Sequence, residues 1–340
     1  MKLSCLVLLL HDCTEDCFDS FLFQICIMKV SIIIPTFNRI NSLINSLESW
    51  DKQSYSNSDY EVIVVDNNST DQTEFIVNEF IKDKSNFKYL KEIQPGSTAA
   101  RHKGVKHSKN DILIFADDDG IYNVHCIFEI VKLFNLNKEI KAVTGKIIIE
   151  WDKTPPTWIE PYEFMLAKLD YGDTVKIGVN LYLNGCLFAI YKDLFYSLNG
   201  FNPDLIGDYL IGDGDTGLVI KLHQNNILIG YTPYAIMSHM LEVETNANVS
   251  DVGRRFYNVG VSDAYGIFRA NMFHFNICVL RYVSKSFVFF IKKFIEYRIL
   301  SKNTRKYFFS FMQRKGELTF FMNLRKREIR RIIKESTYIE

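Results

Sequence analysis

The sequence predicts an α/β fold, a mixed but mostly parallel β-sheet flanked by helices, followed by a helical and basic C-terminal appendage. Short runs of β-branched and aromatic residues alternate with segments of helical spacing, and polar residues follow three of those runs. Charge is unevenly distributed, because residues 281–340 carry 16 Lys and Arg against 5 Asp and Glu, whereas the whole chain carries 40 of each.

The alternation of strands and helices begins at residue 30. Strands are predicted at residues 30–34, 61–65, 87–93 and 111–116, and helices at residues 42–50, 72–81 and 99–107. A second strand-and-helix stretch runs from about residue 181 to residue 234. Because ligands bind beyond the carboxyl ends of parallel strands, the polar segments after the first, second and fourth runs predict one shared site.

Three segments are predicted: an N-terminal extension at residues 1–27, a sheet domain at 28–245 and a helical, basic, aromatic region at 246–340. The extension begins like a short signal peptide but lacks a small-residue cleavage site, which favours Met28 as the natural start. A loosely docked N-terminal segment is the alternative.

Composition excludes several classes of protein. With 47% hydrophobic residues the chain is not mainly disordered, and no apolar run reaches the roughly 20 residues that span a bilayer. Seven cysteines without zinc-ligand spacing indicate free thiols in a reducing, cytoplasmic compartment.

Three consecutive carboxylates, Asp117, Asp118 and Asp119, follow the fourth apolar run. Adjacent carboxylates repel one another, so this cluster at a strand end predicts a neutralising cation, and oxygen ligands favour Mg²⁺ or Mn²⁺. An acidic turn that caps the next helix is the alternative interpretation.

Four segments in this order resemble glycosyltransferase family 2, the inverting, nucleotide-sugar-dependent enzymes of the GT-A (Rossmann-like) fold. They are VSIIIPTFNR at 30–39, EVIVVDNNSTD at 61–71, PGSTAARHKG at 95–104 and DILIFADDD at 111–119. The resemblance covers roughly residues 29–240.

The resemblance implies a set of residues that bind the donor: Pro35, Thr36, Asn38, Arg39, Asp66, Asn68, Arg101, Asp117 and Asp118. Asn184 lies between a predicted strand and the helix of Asp213 and Asp215, and we expect it to approach the donor sugar. Arg101 and Lys103 are predicted on a helix opened by Gly96, and cations beside a helix N-terminus can help to hold a diphosphate. A solvated helix face is the alternative for these two cations.

The resemblance also implies a metal site and a catalytic base. Asp119 would bind Mn²⁺ or Mg²⁺, and His239, at the end of a predicted strand, would complete the site unless it is structural. An inverting transfer needs a carboxylate that takes the proton of the acceptor hydroxyl. Asp215 is favoured for this role over Asp213, and the alternative is that both merely stabilise a helix N-terminus.

Two further regions bear on acceptor and partner. Trp151, Trp158 and Tyr162 lie in a Pro-rich stretch that either stacks on a sugar ring or packs as a loop. Residues 275–340 combine aromatic and basic side chains, and the segment 280–296 has an apolar face opposite Arg and Lys, which suits an anionic membrane surface. Packing on the protein's own core or on a second subunit is the alternative, and no recognition motif favours nucleic acid.

The leading hypothesis is a metal-dependent inverting glycosyltransferase, an enzyme that transfers a hexosyl or N-acetylhexosaminyl group from a nucleotide diphosphate donor, with UDP favoured. Its acceptor would be a glycan or lipid-linked hydroxyl in surface polysaccharide biosynthesis, at the cytoplasmic face of a membrane. A catalytically inactive scaffold on the same fold is the alternative. A nucleotidyltransferase is disfavoured because residues 35–39 lack the glycines of a phosphate-binding loop.

Overall fold

The computed structural model describes residues 27–206, 210–270, 275–299 and 304–324. The N-terminal extension proposed for residues 1–27 therefore lies almost entirely outside the described residues, as does the end of the basic tail.

Eleven strands are present in the described residues. They are β1 (Val30–Thr36), β2 (Tyr60–Asp66), β3 (Phe87–Lys91), β4 (Ile112–Ala116), β5 (Gly120–Tyr122), β6 (Ala142–Trp151), β7 (Lys176–Gly178), β8 (Leu187–Tyr191), β9 (Leu205–Ile206), β10 (Leu210–Ile211) and β11 (Ile229–Leu241).

The helices are α1 (Ile40–Asp51), α2 (Thr73–Ile81), α3 (Ser97–His107), α4 (Cys126–Leu136), α5 (Lys192–Ser197), α6 (Gly214–Gln224), α7 (Val243–Asn246), α8 (Val249–Ala270), α9 (Phe275–Ile299) and α10 (Thr304–Asn323), with a 3-10 helix at Thr157–Leu166. Each strand and helix predicted between residues 30 and 116 is confirmed, with shifts of a few residues at the ends.

Nine strands form one sheet, in the order β3-β2-β1-β4-β8-β6-β11-β5, with β7 paired to β11. β1 pairs in parallel with β2 and β4, and β2 with β3. β8 enters antiparallel between β4 and β6, while β11 runs parallel to β6 and antiparallel to β5. The predicted mixed, mostly parallel sheet is confirmed.

Helices cover both faces of the sheet, which explains why β1, β2 and β4 are continuous apolar runs. Alternate side chains of β1 point to opposite faces, so that Ile32 joins a core with Leu47 and Trp50 of α1, whereas Ile33 joins a core with Ala100 of α3. This packing fixes the starts of α1 and α3 beside the carboxyl edge of the sheet.

The C-terminal helices pack on one another. Gly260 of α8 and Gly316 of α10 lie against the partner backbone, since a Cβ on either would come within about 2 Å of a carbonyl oxygen. Aromatic rings join α9 to α10, with Tyr297 stacked on Phe311 at a centroid distance of 5.9 Å. Among the described residues no helix is both long and apolar enough to cross a membrane.

The 3-10 helix connects the sheet to these helices. Tyr162 packs edge-on against Phe309 of α10 at 4.9 Å, Trp158 lies 6.3 Å from the same ring, and the indole of Trp151 donates to Glu163 at 3.1 Å. Of the two interpretations of this aromatic stretch, packing within the protein is therefore the one observed.

Candidate active site

A cavity of about 330 Å³ opens at the carboxyl ends of β1 and β4. Six predicted site residues line it: Pro35, Thr36, Arg39, Arg101, Asp117 and Asp118. Phe37, Asn67 and Ser97 line it as well and were not predicted, although each lies in a segment that carries the family resemblance.

Asn38 and Asn68 shape the wall of the cavity from its turns. Both have positive φ angles, 54° and 66°. The side-chain oxygen of Asn38 accepts a hydrogen bond from the Thr70 backbone amide at 2.7 Å. The backbone amide of Asn38 donates to the Ser69 hydroxyl at 2.9 Å. These two bonds tie the turn after β1 to the turn after β2.

Asp66, at the end of β2, is fully buried. One carboxylate oxygen accepts from the Tyr89 hydroxyl at 2.7 Å, and the other accepts from the Ser69 amide at 2.8 Å. Both oxygens thus have protein partners, so Asp66 supports the turn that borders the cavity.

Arg39 neutralises two members of the acidic triplet. Its guanidinium lies 2.8 Å from the carboxylate of Asp119 and 3.3 Å from that of Asp118, which also accepts from the Thr36 hydroxyl at 2.7 Å. Burial raises the pKa of Asp118 to about 6, an effect that Arg39 opposes. Arg39 therefore balances part of the negative charge of the triplet, of which Asp117 and Asp118 line the cavity.

Arg101 reaches the third member from α3. Arg101 is 5% exposed, and its guanidinium lies 2.6 Å from the Asp117 carboxylate and 3.2 Å from the Gly185 carbonyl. Burial opposes its charge, but Asp117 and Asp215 keep the pKa of Arg101 above its ordinary value. A fixed cation at this point can stabilise an anionic leaving group.

Asp119 and His239 face each other across the pairing of β5 with β11. His239 Nε2 lies 3.5 Å from Asp119 Oδ2, and Nδ1 is 2.9 Å from the Leu166 carbonyl, which orients the ring. The other oxygen of Asp119 is buried without a hydrogen-bond partner.

This donor set fits a divalent ion of the Mn²⁺ or Mg²⁺ type. A carboxylate with an unused buried oxygen and an oriented imidazole supply two ligands. Within the described ranges no three His, Cys, Asp or Glu side chains are grouped to hold a metal, so Asp119 and His239 are the two protein ligands that this site offers.

Asp215 is at the start of α6 and faces the Arg101 side of the site. Its carboxylate accepts from the Gly185 amide at 3.1 Å. A Cβ at Gly185 would lie 2.5 Å from Asp215 Oδ2 and 3.2 Å from an Arg101 nitrogen, so glycine is required between them. Burial raises the pKa of Asp215, while Arg101 opposes that rise.

Asp213 faces the C-terminal helices instead. It is 5% exposed, accepts from the Asn202 amide at 3.1 Å, and lies beside Gly266 of α8. Burial raises the pKa of Asp213 to about 6, with Arg269 opposing the shift. The two carboxylates that the sequence left as alternatives thus lie in different surroundings.

Asn184 holds the turn before β8, because its side chain donates to the Ala167 carbonyl at 3.2 Å and accepts from the Cys186 amide at 3.1 Å. The neighbouring Gly185 makes the contacts to Arg101 and Asp215.

The start of α3 already holds an anionic group. Asp204 accepts from the Ser97 amide at 2.7 Å and from the Thr98 hydroxyl at 2.8 Å, and Gly96 takes a φ of 122° to make room. A carboxylate from a distant segment therefore caps this helix N-terminus.

Comparison with known proteins identifies the family. The model of the family described as "Glycosyl transferase family 2" matches residues 31–195. Poly(ribitol-phosphate) beta-N-acetylglucosaminyltransferase TarP of Staphylococcus aureus is 32% identical over 125 residues, which are 36% of this chain and 37% of TarP. The chain matches between 13% and 37% of the length of the first curated relatives.

Two solved structures share the fold over most of the chain. Mannosyltransferase PcManGT from Pyrobaculum calidifontis, in complex with GDP-Man and Mn²⁺, superposes with a TM-score of 0.56 at 14% identity, over 86% of this chain and 87% of that one. S. aureus TarS 1–349 in complex with UDP-GlcNAc gives 0.52 at 17% identity, over 88% and 92%. These structures show the fold, and the match to the family model assigns residues 31–195, which carry the triplet and Arg101, to glycosyl transferase family 2.

Proposed function

We propose that the chain is an inverting glycosyltransferase that transfers a sugar from a nucleoside diphosphate donor to an acceptor hydroxyl. This proposal depends on one observation: Asp117, Asp118, Arg39 and Arg101 line one cavity. Asp119 joins this group through Arg39 and His239, and Asp215 joins it through the Gly185 turn that Arg101 contacts. The family and the GT-A fold of the solved neighbours support this function.

The proposed donor position places the nucleoside between the turns after β1 and β2, bordered by Pro35, Thr36 and Asn67. The diphosphate lies toward Arg39 and Arg101, which are the cations of the cavity wall. Asn38, Asp66 and Asn68 support these turns, and Asn184 supports the turn on the sugar side.

In the reaction, the acceptor oxygen forms a bond to the anomeric carbon as the bond from that carbon to the phosphate oxygen breaks. Asp215 takes the hydroxyl proton, and the electron pair of the broken bond leaves with the nucleoside diphosphate. Attack from the face opposite the leaving group inverts the configuration. Burial of Asp215 favours its protonation, so turnover falls as pH drops through its raised pKa.

Asp119 and His239 would hold Mn²⁺ or Mg²⁺, which supplies neutralisation of the charge that develops on the leaving group. Support comes from the unpartnered oxygen of Asp119 and from Mn²⁺ in the PcManGT complex.

UDP is the proposed nucleotide and a hexose or N-acetylhexosamine the proposed sugar. TarS was solved with UDP-GlcNAc, and TarP is named for N-acetylglucosaminyl transfer to poly(ribitol-phosphate). The proposed acceptor is accordingly a hydroxyl of a glycan or lipid-linked polymer in surface polysaccharide biosynthesis.

Calorimetric titration tests the donor site. UDP, GDP and CDP are titrated with Mn²⁺, with Mg²⁺ and with EDTA, using the wild type, Asp119→Ala and the exposed control Asp193→Ala, which lies at the start of α5. We expect UDP to bind with metal, to bind more weakly in EDTA, and to lose the metal dependence only in Asp119→Ala. Failure of all three nucleotides to bind would contradict the proposal.

An inactive scaffold is the second candidate function, and turnover separates the two. A scaffold would bind UDP, but it would not split UDP-sugars to form free UDP in the presence of acceptor polymer. Release of UDP by the wild type, abolished in Asp215→Asn, would exclude the scaffold.

The C-terminal helices carry the proposed membrane contact. Phe287, Val288, Ile291 and Ile295 form a stripe on α9 with exposed fractions from 41% to 64%. Lys292 is exposed beside this stripe and makes no ion pair with any residue of the described part of the chain. We propose that this surface, the α9 stripe, docks on an anionic bilayer.

A bilayer fits the α9 stripe better than a second copy of the chain, because two copies would bring basic residues against each other. The test is co-sedimentation with phosphatidylcholine vesicles that contain or lack phosphatidylserine. The double variant Val288→Ser, Ile295→Ser should lose binding to anionic vesicles, whereas Leu136→Ser, which changes a 70% exposed residue on α4, should not. Equal binding by all three proteins would contradict the proposal.

The division into residues 28–245 and 246–340 is also proposed rather than observed. Limited proteolysis tests it, since cleavage near residue 246 should leave a stable fragment if the boundary is right. The packing of Phe309 on Tyr162 predicts that this fragment melts at a lower temperature than the full chain.

A further inference from the structure

The hydroxyl of Tyr122 lies inside the protein, between two parts of the candidate site. Tyr122 is 2% exposed at the end of β5, and its ring stacks on Trp50 with centroids 4.2 Å apart. A phenol in such surroundings needs hydrogen-bond partners, because an unpaired buried hydroxyl costs free energy.

Its partners are backbone groups from two separate segments. The Asp117 amide donates to the Tyr122 oxygen at 2.8 Å. The hydroxyl donates to the Cys186 carbonyl at 2.9 Å, with the Asp117 carbonyl at 3.2 Å as a second acceptor. One oxygen atom therefore joins the end of β4 to the turn before β8.

Both joined segments hold charged groups of the site. Asp117 pairs with Arg101 at 2.6 Å, and Arg101 also donates to the Gly185 carbonyl at 3.2 Å. The Gly185 amide in turn donates to Asp215 at 3.1 Å. The distance between Asp117 and Asp215 therefore depends on how the two segments that Tyr122 connects are held together.

We propose that Tyr122 is a positioning residue for the transfer reaction, whose hydroxyl sets the separation between Asp117 at the donor and the Gly185 turn that holds Asp215. The role rests on the proposed function, since it acts through groups assigned there. Tyr122 itself touches neither donor nor acceptor.

Tyr122→Phe tests this role by removing one oxygen while keeping the ring on Trp50. The change leaves the Asp117 amide and the Cys186 carbonyl unpaired. We expect turnover to fall about tenfold, the effect of a change of about 1.4 kcal/mol in the barrier. UDP affinity should change less than threefold, because Arg39 and Asp118 remain in place.

The pH profile supplies a readout that loss of stability alone would not move. Arg101 opposes the rise in the pKa of Asp215. Asp117 adds to that rise, but its effect is smaller than that of Arg101. When the spacing loosens, the larger effect of Arg101 weakens, so the acidic limb of turnover should move to higher pH in Tyr122→Phe.

Tyr60→Phe is the matched control. Tyr60 is 3% exposed, and its hydroxyl donates to the Trp50 carbonyl and to Asn57, both at 3.0 Å, away from the cavity. The Tyr60→Phe variant therefore loses a buried hydroxyl comparable to that of Tyr122, without a change at the candidate site. All proteins are assayed at a temperature at which thermal melting shows them folded.

Equal turnover and an equal acidic limb in Tyr122→Phe and Tyr60→Phe would overturn the positioning role alone. Absence of turnover in the wild type with every UDP-sugar tested would instead contradict the proposed function, and this role with it. If Tyr122→Phe does not fold, 3,5-difluorotyrosine at position 122 keeps the ring and weakens the oxygen as an acceptor. Unchanged turnover with that residue would also overturn the role.

Discussion

The sheet and the C-terminal helices depart in opposite ways from the usual pattern, in which apolar side chains are buried and charged side chains are exposed. The sheet encloses charges, since Arg101 and Asp118 are each 5% exposed, whereas α9 exposes apolar side chains such as Val288, which is 64% exposed. Either arrangement costs free energy in the isolated protein. This difference supports the proposals that the sheet encloses a small, charged ligand and that the helices contact a broad surface with an apolar interior and anionic groups.

The largest expected effect separates the two carboxylates near the start of α6. Asp215→Asn should lower turnover by about 10²–10⁴-fold, the usual range for loss of a general base, while UDP affinity stays nearly constant. Asp213→Asn should keep most turnover, because its carboxylate faces α8. Steady-state kinetics of both variants checks this, and the reverse order would assign the base to Asp213.

A second prediction concerns acid sensitivity in the sheet region. His102 of α3 accepts from the Phe201 amide at 3.1 Å, and burial lowers its pKa to about 4. The folded protein favours the neutral form of His102. The contribution of His102 to the free energy of unfolding is therefore complete above pH 6.5 and is lost as pH falls from there toward 4. Between pH 7 and pH 5 this loss is about 2 kcal/mol.

Denaturant unfolding of wild type and His102→Gln at both pH values measures this loss. The Gln side chain can accept the same bond but does not titrate, so its pH dependence should be smaller than that of the wild type. His107→Gln, on the same helix, should behave like the wild type. An unaltered pH dependence in His102→Gln would show that other groups cause the acid sensitivity.

A third prediction concerns the cap on α3. Asp204→Ala should destabilise the protein by about 1–2 kcal/mol, because the Ser97 amide and the Thr98 hydroxyl lose their acceptor. Asp71→Ala is the matched comparison, since Asp71 caps α2 through the Thr73 amide and hydroxyl. Both should lower the melting temperature, and only Asp204→Ala should also weaken UDP binding, because Ser97 lines the cavity. Unaltered UDP affinity in Asp204→Ala would mean that the cap serves stability alone.

The smallest expected effect lies on the α9 stripe. Lys292→Gln should weaken binding to anionic vesicles by about 1 kcal/mol, near fivefold, and the loss should shrink at high salt. Lys52→Gln, at an exposed lysine directly after α1, is the control. A loss that is independent of salt would assign the surface to a protein partner.

The sequence predicts the sheet region well because its signals are local. Continuous apolar runs are produced by strands buried on both faces, and the polar turns after them are contiguous in the chain. Pro35, Thr36 and Arg39 lie in the polar segment after the first run, and Arg101 was implied by the family resemblance; all four line the cavity.

What the sequence could not supply depends on contacts between distant segments. The insertion of β8 between β4 and β6 brings Gly185 to Arg101, and no local pattern encodes that pairing. The caps and bridges made by Asp204 and Tyr122 are likewise long-range. Asp213 and Asp215 differ by only two positions, so their opposite surroundings follow from the rotation of α6 against α8.

β11 has a mechanical consequence for a protein tethered by its C-terminal helices. It is 13 residues long, carries His239 near its end, and is paired to β6 on one side and to β5 and β7 on the other. A pull transmitted from α7 and α8 runs along this strand, so the flanking hydrogen bonds resist it together in shear instead of opening one by one. If the α9 stripe docks on a bilayer as proposed, lateral drag on these helices would therefore leave the separation of His239 and Asp119 unchanged.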